Sequence, residues 1–341
     1  MARVLHGRVE PAIDIAHIYQ AVEAFYQNDF EGALVEYDMS IAIKDSAHAR
    51  LGRAVTLLSM GRYPEGFADY PWRWKVFRDE MTPRGRRMYD AMPRWDGSPG
   101  KRVIILHEAG YGDTLQLLRY VPIVRDVSDS VVLEMPGPLQ RIASQLAPMA
   151  TDDSEGHVAT TFELMSILRQ TTATIPPPPY LQPDPALRDE WSCRVTNGGR
   201  RRVGIAWSTK LGDNNEHYNQ RRGIDLKRFV KMFGGDRRDV TLYSLQTQER
   251  ALADYYGVIN FPLEDFADVA ALASVMDAVV TIDTAAAHVV GAMEHPRANV
   301  LLPVAATWRW LCGNPWYPNM NLCQQTFPGD WESAFAQARY A

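Results

Sequence analysis

The chain has few cysteines, no excess of basic charge and no long apolar run, and each shortage excludes something. Its three cysteines, Cys193, Cys312 and Cys323, stand isolated in 341 residues, form no CxxC pair and are odd in number. A disulfide framework and a cysteine-based zinc site are therefore excluded, and reduced or buried thiols are expected. The net charge of −5 leaves no basic footprint for nucleic acid or an anionic membrane. No run approaches a membrane span, and residues 1–10 lack the apolar core of a signal peptide, so a cytoplasmic location is expected. No D-x-D occurs and the histidines are scattered, so the sequence carries no metal signature. Neither G-x-S-x-G nor a Walker A loop is present, which leaves hydrolase and kinase readings without footing. Gly110-Tyr-Gly-Asp-Thr-Leu115 begins like a dinucleotide fingerprint but lacks the third glycine and the later acid, and NAD binding is rejected.

What is present is a soluble globular composition, 46% hydrophobic and 23% charged, in a chain long enough for two or three domains. Residues 12–78 read as helical and repeat themselves. Ala24 to Ala33 is echoed by Leu57 to Phe67, and Phe30 and Tyr63 lie 33 positions apart. A helix–turn–helix unit with a period near 34 is the tetratricopeptide signature, and two such units need something to cap them. The alternative is a plain helical hairpin serving as a lid or dimer surface. Pro/Gly punctuation at Trp95-Asp-Gly-Ser-Pro-Gly100 marks the boundary, giving an all-α region over residues 1–98.

An α/β alternation follows. Val103–Leu106 and Val131–Met135 read as strands, and Thr114–Val124 and Pro138–Leu146 as helices. The proline-rich stretch from Pro176 to Pro185 is expected to be a stiff extended linker, unable to enter a helix or a central strand. A second α/β unit brings strands at Arg202–Trp207, Val240–Leu245, Ala278–Ile282 and Asn299–Leu302. Strands alternating with helices imply parallel sheets with right-handed crossovers. The expected division is residues 99–185 for a first Rossmann-like half and 186–341 for a second, with a ligand cleft between them.

The stretch from Asp277 to Met293 carries the most chemistry. A buried β-branched strand turns straight into a helix, with Asp283 or Thr284 as N-cap and Ala285–Met293 helical. Such a turn aims free N–H groups and the positive dipole end at one point, an anion site suited to phosphate. His288, one turn in, is placed to add a donor; the plain reading is an ordinary crossover with a satisfied histidine. Asp113, after the first strand, is placed to accept a proton from an attacking hydroxyl, or simply to N-cap the Thr114 helix. Lys210, Arg221 or Arg222, in or beside the polar loop after the Arg202–Trp207 strand, could neutralise a diphosphate. Gln246, at the end of the next strand, could meet a nucleobase.

These pieces, in order, resemble a known family. Glu65-Gly-Phe-Ala-Asp-Tyr-Pro-Trp-Arg-Trp74, Gly112-Asp-Thr-Leu-Gln-Leu-Leu-Arg-Tyr120, Pro179-Tyr-Leu181, Val203-Gly-Ile-Ala-Trp207, Ser244-Leu-Gln246, Asp283 to Ala292, Trp308-Arg-Trp310 and Pro315-Trp-Tyr-Pro318 are similar to bacterial tetratricopeptide-repeat proteins with a C-terminal heptosyltransferase-like glycosyltransferase. That family is related in fold to O-GlcNAc transferase. The resemblance implies a GT-B fold, two Rossmann-like domains facing a cleft, and metal-independent, inverting transfer from a nucleotide-diphosphate sugar to a hydroxyl of a protein or glycan. Asp113 is then the candidate base. The candidate nucleotide-sugar residues are Gly112, Gln116, Ser208, Lys210, Arg222, Gln246, Asp283, Thr284, Ala285 and His288. No cofactor beyond the donor sugar is expected, and the helices would recruit an acceptor or form a homodimer. The rival is a non-catalytic scaffold or adaptor, but a scaffold needs neither Asp113 nor His288.

Overall fold

A computed structural model describes residues 13–76, 81–151, 155–196, 198–209, 221–234 and 238–340. Lys210 and nearly all of the polar loop expected after Trp207 lie outside the described residues.

The chain falls into two compact units. One holds the helices of residues 13–76 together with two later segments, 169–174 and 307–313; the other holds both sheets. Residues 81–98, expected with the helices, belong to the sheet-bearing unit, where helix α5 (Pro83–Ala91) buries Met88 against Ile104 and Val158.

In the helical unit, α1 (Ile13–Tyr26), α2 (Phe30–Ile43), α3 (Ala47–Ser59) and α4 (Tyr63–Asp69) run into a 3₁₀ turn, Tyr70–Lys75. The starts of α2 and α4 are 33 residues apart. Side chains define the boundaries: Asp29 accepts the Gly32 N–H at 3.0 Å and Ser46 accepts the Ala49 N–H at 3.3 Å. Each such cap stabilises its helix by about 1 kcal/mol. Small residues let the helices close on Tyr37, which packs with Ala21, Ala33 and Ala49. Asp69, buried, is held between two guanidiniums, Arg50 at 3.0 Å and Arg53 at 2.6 Å.

Among the described residues the other unit contains two sheets, both wholly parallel. The first has the order β2-β1-β3, from β1 (Arg102–Leu106), β2 (Ser130–Glu134) and β3 (His157–Thr160). The second has the order β5-β4-β6-β7-β8, from β4 (Arg201–Ala206), β5 (Val240–Ser244), β6 (Ala278–Ile282), β7 (Ala298–Leu302) and β8 (Asn321–Gln324). Register pairs Val103 with both Val131 and His157, and Val203 with both Leu242 and Ala278. β6 and β7 are buried at every position, as strands covered on both faces must be. In each sheet the chain leaves the first strand to one side and later returns to its other side. The carboxyl ends of β1 and β4 are therefore topological switch points, where open α/β sheets bind ligands.

Two sequence expectations need correction. Pro185 does enter a helix: it is the first residue of Pro185–Arg194, where a missing N–H costs nothing, and Asp184 accepts from Ala186 and Leu187 at 2.8 and 3.1 Å. The helix after β1 begins at Tyr111, three residues before Thr114, and breaks into a 3₁₀ turn at Leu118–Tyr120 before resuming at Val121–Val127. The cysteines are all unpaired, and burial pushes the Cys323 thiol up to about 12. Among the described residues no helix is long and apolar enough to cross a membrane.

Candidate functional site

The loop after β1 is built around a buried histidine. His107 Nδ1 lies 2.8 Å from Thr114 Oγ1, and the Thr114 hydroxyl reaches back to the Glu108 carbonyl at 3.3 Å. Burial drives the His107 ring down to about 4, against the opposing pull of the nearby Asp113 charge, so the ring is neutral at neutral pH. Ala109 takes a left-handed conformation, φ 64°, to turn the chain from the strand into α6 (Tyr111–Leu117). Gly110, not Asp113, is the N-cap. Asp113 is the third residue of the helix, and its Oδ2 accepts the Gly110 N–H at 3.0 Å, the backward half of a capping box. Gln116, a candidate contact for the sugar nucleotide, is fully buried in α6.

The turn after β6 is simpler. Thr284 is the N-cap residue of the Ala285–Ala292 helix, and its side chain makes no capping hydrogen bond. The Thr284 hydroxyl instead lies 3.4 Å from Thr281 Oγ1. The Thr284 side chain thus leaves the first-turn N–H groups uncapped, an arrangement that suits an anion. Asp283 is buried, its carbonyl accepts from Arg222 at 2.7 Å, and its Oδ1 lies 3.9 Å from His288 Nε2.

These two turns meet. A Cβ on Gly112 would stand 2.8 Å from His288 Cδ2, 3.3 Å from Ala285 Cα and 3.5 Å from the Ala285 nitrogen. Only glycine lets the first turn of α6 come this close to the start of the other helix. Gly112, Ala285 and His288 therefore share one place, with Asp283, Thr284 and Arg222 beside it. Ser208 and Gln246 form a separate cluster at the ends of β4 and β5. Gln246 Oε1 accepts the N–H groups of Trp207 and Ser208 at 2.5 and 2.8 Å, and its Nε2 donates to Ser208 Oγ at 3.0 Å. Its amide closes the β4 loop, so a nucleobase there would have to compete with these bonds.

Sequence reasoning gave no role to the network behind His288. His288 Nδ1 lies 3.0 Å from the Tyr317 hydroxyl, which lies 3.2 Å from that of Tyr180. The Tyr180 hydroxyl also sits 3.0 Å from the Leu115 carbonyl, at the end of α6. Buried Arg119 ties these segments together, donating to the carbonyls of Gln116, Pro176 and Trp316 at 2.9, 2.8 and 3.0 Å and to Tyr180 Oη at 3.3 Å. Burial, reinforced by Tyr180, raises the Tyr317 phenol well above its ordinary value, so it stays protonated. Three short motifs, ending in Arg119-Tyr120, Tyr180-Leu181 and Tyr317-Pro318, thus converge on one histidine.

The hollow of about 410 Å³ lined by Arg125, Ser130 and Pro148 lies at the amino end of β2, away from this place. Among the described residues no three His, Cys, Asp or Glu side chains converge as metal ligands would.

No known family model matches the chain. It is similar to the protein FlbA of Caulobacter vibrioides, 25% identical across 98% of this chain, and spans 62% of that relative's length. Among solved structures, the ADP-heptose LPS heptosyltransferase II of E. coli aligns over 70% of this chain and 97% of its own, with a TM-score of 0.51 and 8% identity. A family 9 glycosyl transferase from Veillonella parvula aligns over 67% and 86%, with a TM-score of 0.48 and 10% identity. The first of these structural likenesses shows the fold: mixed α/β with two parallel sheets, the GT-B arrangement.

Proposed function

We propose that this protein is a glycosyltransferase that moves a sugar, with inversion and without a metal, from a nucleotide-diphosphate sugar to a hydroxyl of a protein or glycan. The observation that carries the reading is the meeting, at Gly112, of a carboxylate-bearing helix start with a helix N-terminus that its own N-cap side chain does not cap. It is supported by its position, beside the switch point of the first sheet, and by the fold likeness to a protein that handles ADP-heptose.

In this reading the diphosphate sits on the N–H groups at Ala285 and its neighbours, with His288 as a further donor and Arg222 supplying positive charge. Stabilising the charge that develops on the leaving group is the larger contribution, about 3–4 kcal/mol per well-placed donor. Asp113 takes the proton from the acceptor hydroxyl. The carboxylate oxygen bonded to Gly110 fixes its position, and a fixed base is the useful kind. The specific observation favouring a rival role is the same bond, because a cap needs nothing more. The helical unit, in this reading a tetratricopeptide-like module of a cytoplasmic enzyme, recruits the acceptor.

The test is a calorimetric screen of the full chain against UDP, GDP, ADP, CMP and dTDP, with and without EDTA. Saturable binding of one diphosphate, undiminished by EDTA, is expected. A folded protein that binds none of the five ends the reading.

A further inference from the structure

The helical unit is finished on one side and unfinished on the other. On the finished side, the returning segment 307–313 covers α4. Trp308 stands edge-on to Tyr63 at 5.9 Å and to Phe67 at 6.2 Å, and Cys312 Sγ reaches the Ser59 carbonyl at 3.2 Å. On the other side, the outer faces of α1 and α2 are apolar, and none of the described residues covers them. Tyr19, Val22 and Tyr26 follow one another at helical spacing on α1, as do Val35, Met39 and Ile43 on α2, and all are 36–63% exposed. Of the 14 exposed large hydrophobics among the described residues, eight belong to these two helices. A stack of helical repeats ends on a polar face when it faces water, and this face is not polar.

Charge says what should cover it. Residues 13–44 hold six acidic side chains against Lys44 alone, a net of −5, which equals the net charge of the whole chain; everything else balances at 35 of each sign. Glu23, Glu31 and Asp38 are exposed there. The molecule already uses this pairing internally: Asp38 on α2 meets Arg53 on α3 at 2.6 Å, so the acidic helical pair packs against a basic helix. A second copy offering the same face would bring acid against acid, and an anionic lipid surface would be repelled likewise.

We propose that the outer face of α1 and α2 is the docking surface for an amphipathic helix of another protein, one that carries Lys and Arg beside its apolar stripe. The apolar stripe supplies affinity, and the acidic surround selects against acidic helices and against self-association.

The experiment uses the full chain and three synthetic peptides of about 18 residues, long enough for five helical turns: Leu/Lys at amphipathic spacing, Leu/Glu at the same spacing, and Leu/Lys in scrambled order. Fluorescence anisotropy should show binding of the first alone, weakened by salt. Tyr19→Ser with Met39→Ser, both exposed, should weaken it roughly tenfold or more while leaving the melting temperature in place. Glu23→Lys with Glu31→Lys, which leaves the apolar stripe intact, should do the same. Failure of the Leu/Lys peptide to bind, equal binding of the Leu/Glu peptide, or indifference to both double variants overturns the proposal. So does a dimer in sedimentation that Tyr19→Ser dissolves, or binding to vesicles of 3:1 phosphatidylcholine and phosphatidylglycerol, because the face then belongs to a second copy or to lipid.

Discussion

The turns after β1 and β6 are the same device built in two ways. Each carries a parallel strand into a helix, and the two helix starts touch at Gly112 and Ala285. The first answers its own N-terminus with a carboxylate, because Asp113 accepts the Gly110 N–H, and it needs a left-handed Ala109 and a buried neutral His107 to do so. The second supplies no side-chain cap, and its histidine is held from behind by Tyr317. A helix start that holds its own anion is closed to another. In the proposed reaction the acceptor and its proton would therefore fall to the first turn and the donor's phosphates to the second.

Asp113→Asn should separate the roles most sharply. Asn can still accept the Gly110 N–H but cannot take a proton at neutral pH. Melting temperature and nucleotide affinity should hold while turnover falls roughly 10²-fold or more. A variant that stays stable and fully active would make the first turn a cap alone, and the contrast would collapse.

His107 distinguishes the turns by pH. Its folded value of about 4 lies below the ordinary 6.5, so the unfolded chain binds the proton more readily. The stability this gives is present above pH 6.5 and lost as pH falls toward 4. Between pH 7 and pH 5 the loss should be roughly 2 kcal/mol. Denaturant unfolding at both values, compared with His107→Gln, measures it. An equal loss in the variant would assign the effect to other groups.

How far this contrast is legible in sequence depends on range. β6 and the start of its helix are plain, because Ala278–Ile282 is a buried β-branched run and Ala285 onward favours helix. The 33-residue echo of Phe30 and Tyr63 likewise falls on two helix starts. β3 and β8 are four-residue edge strands, and β8 mixes Asn321 and Gln324 with apolar neighbours, so no periodicity marks them. The start of α6 is not legible because its cap lies inside the helix: Gly110 has no side chain to announce an N-cap, and the carboxylate that serves it comes three residues later. The Arg119 network could not be read at all. Apart from Gln116, its partners are 57 to 197 residues from Arg119, and only folding makes them neighbours.

His288→Ala tests the second turn directly. Removing one charge-assisted donor should weaken binding of the nucleoside diphosphate by about 1–2 kcal/mol, measured by calorimetry with the fold intact. Unchanged affinity would leave the helix start without its histidine.

Tyr317→Phe is the finest test, because it removes the one hydroxyl that joins His288 to Tyr180 and leaves the ring in place. The single proton of Tyr180 can go to the Leu115 carbonyl, 3.0 Å away, leaving its oxygen to accept from Arg119 and from Tyr317. Tyr317 then has two choices. Donating to His288 Nδ1 puts the ring proton on Nε2, the nitrogen beside the Cδ2 edge that faces Gly112; donating to Tyr180 puts it on Nδ1, facing away. An anion at the Ala285 helix start favours the first, so nucleotide should shift the histidine toward its Nε2–H form. Phe keeps the ring packed over Gly291, where a Cβ would come within 2.6 Å of it, and removes only the hydroxyl. Affinity for the nucleoside diphosphate should fall about three- to tenfold, the scale of one hydrogen bond. The ¹⁵N shifts of His288 should no longer move to the Nε2–H pattern on binding. If both survive the substitution, the ring is oriented by its packing and not by the phenol, and the second turn stands on its backbone alone.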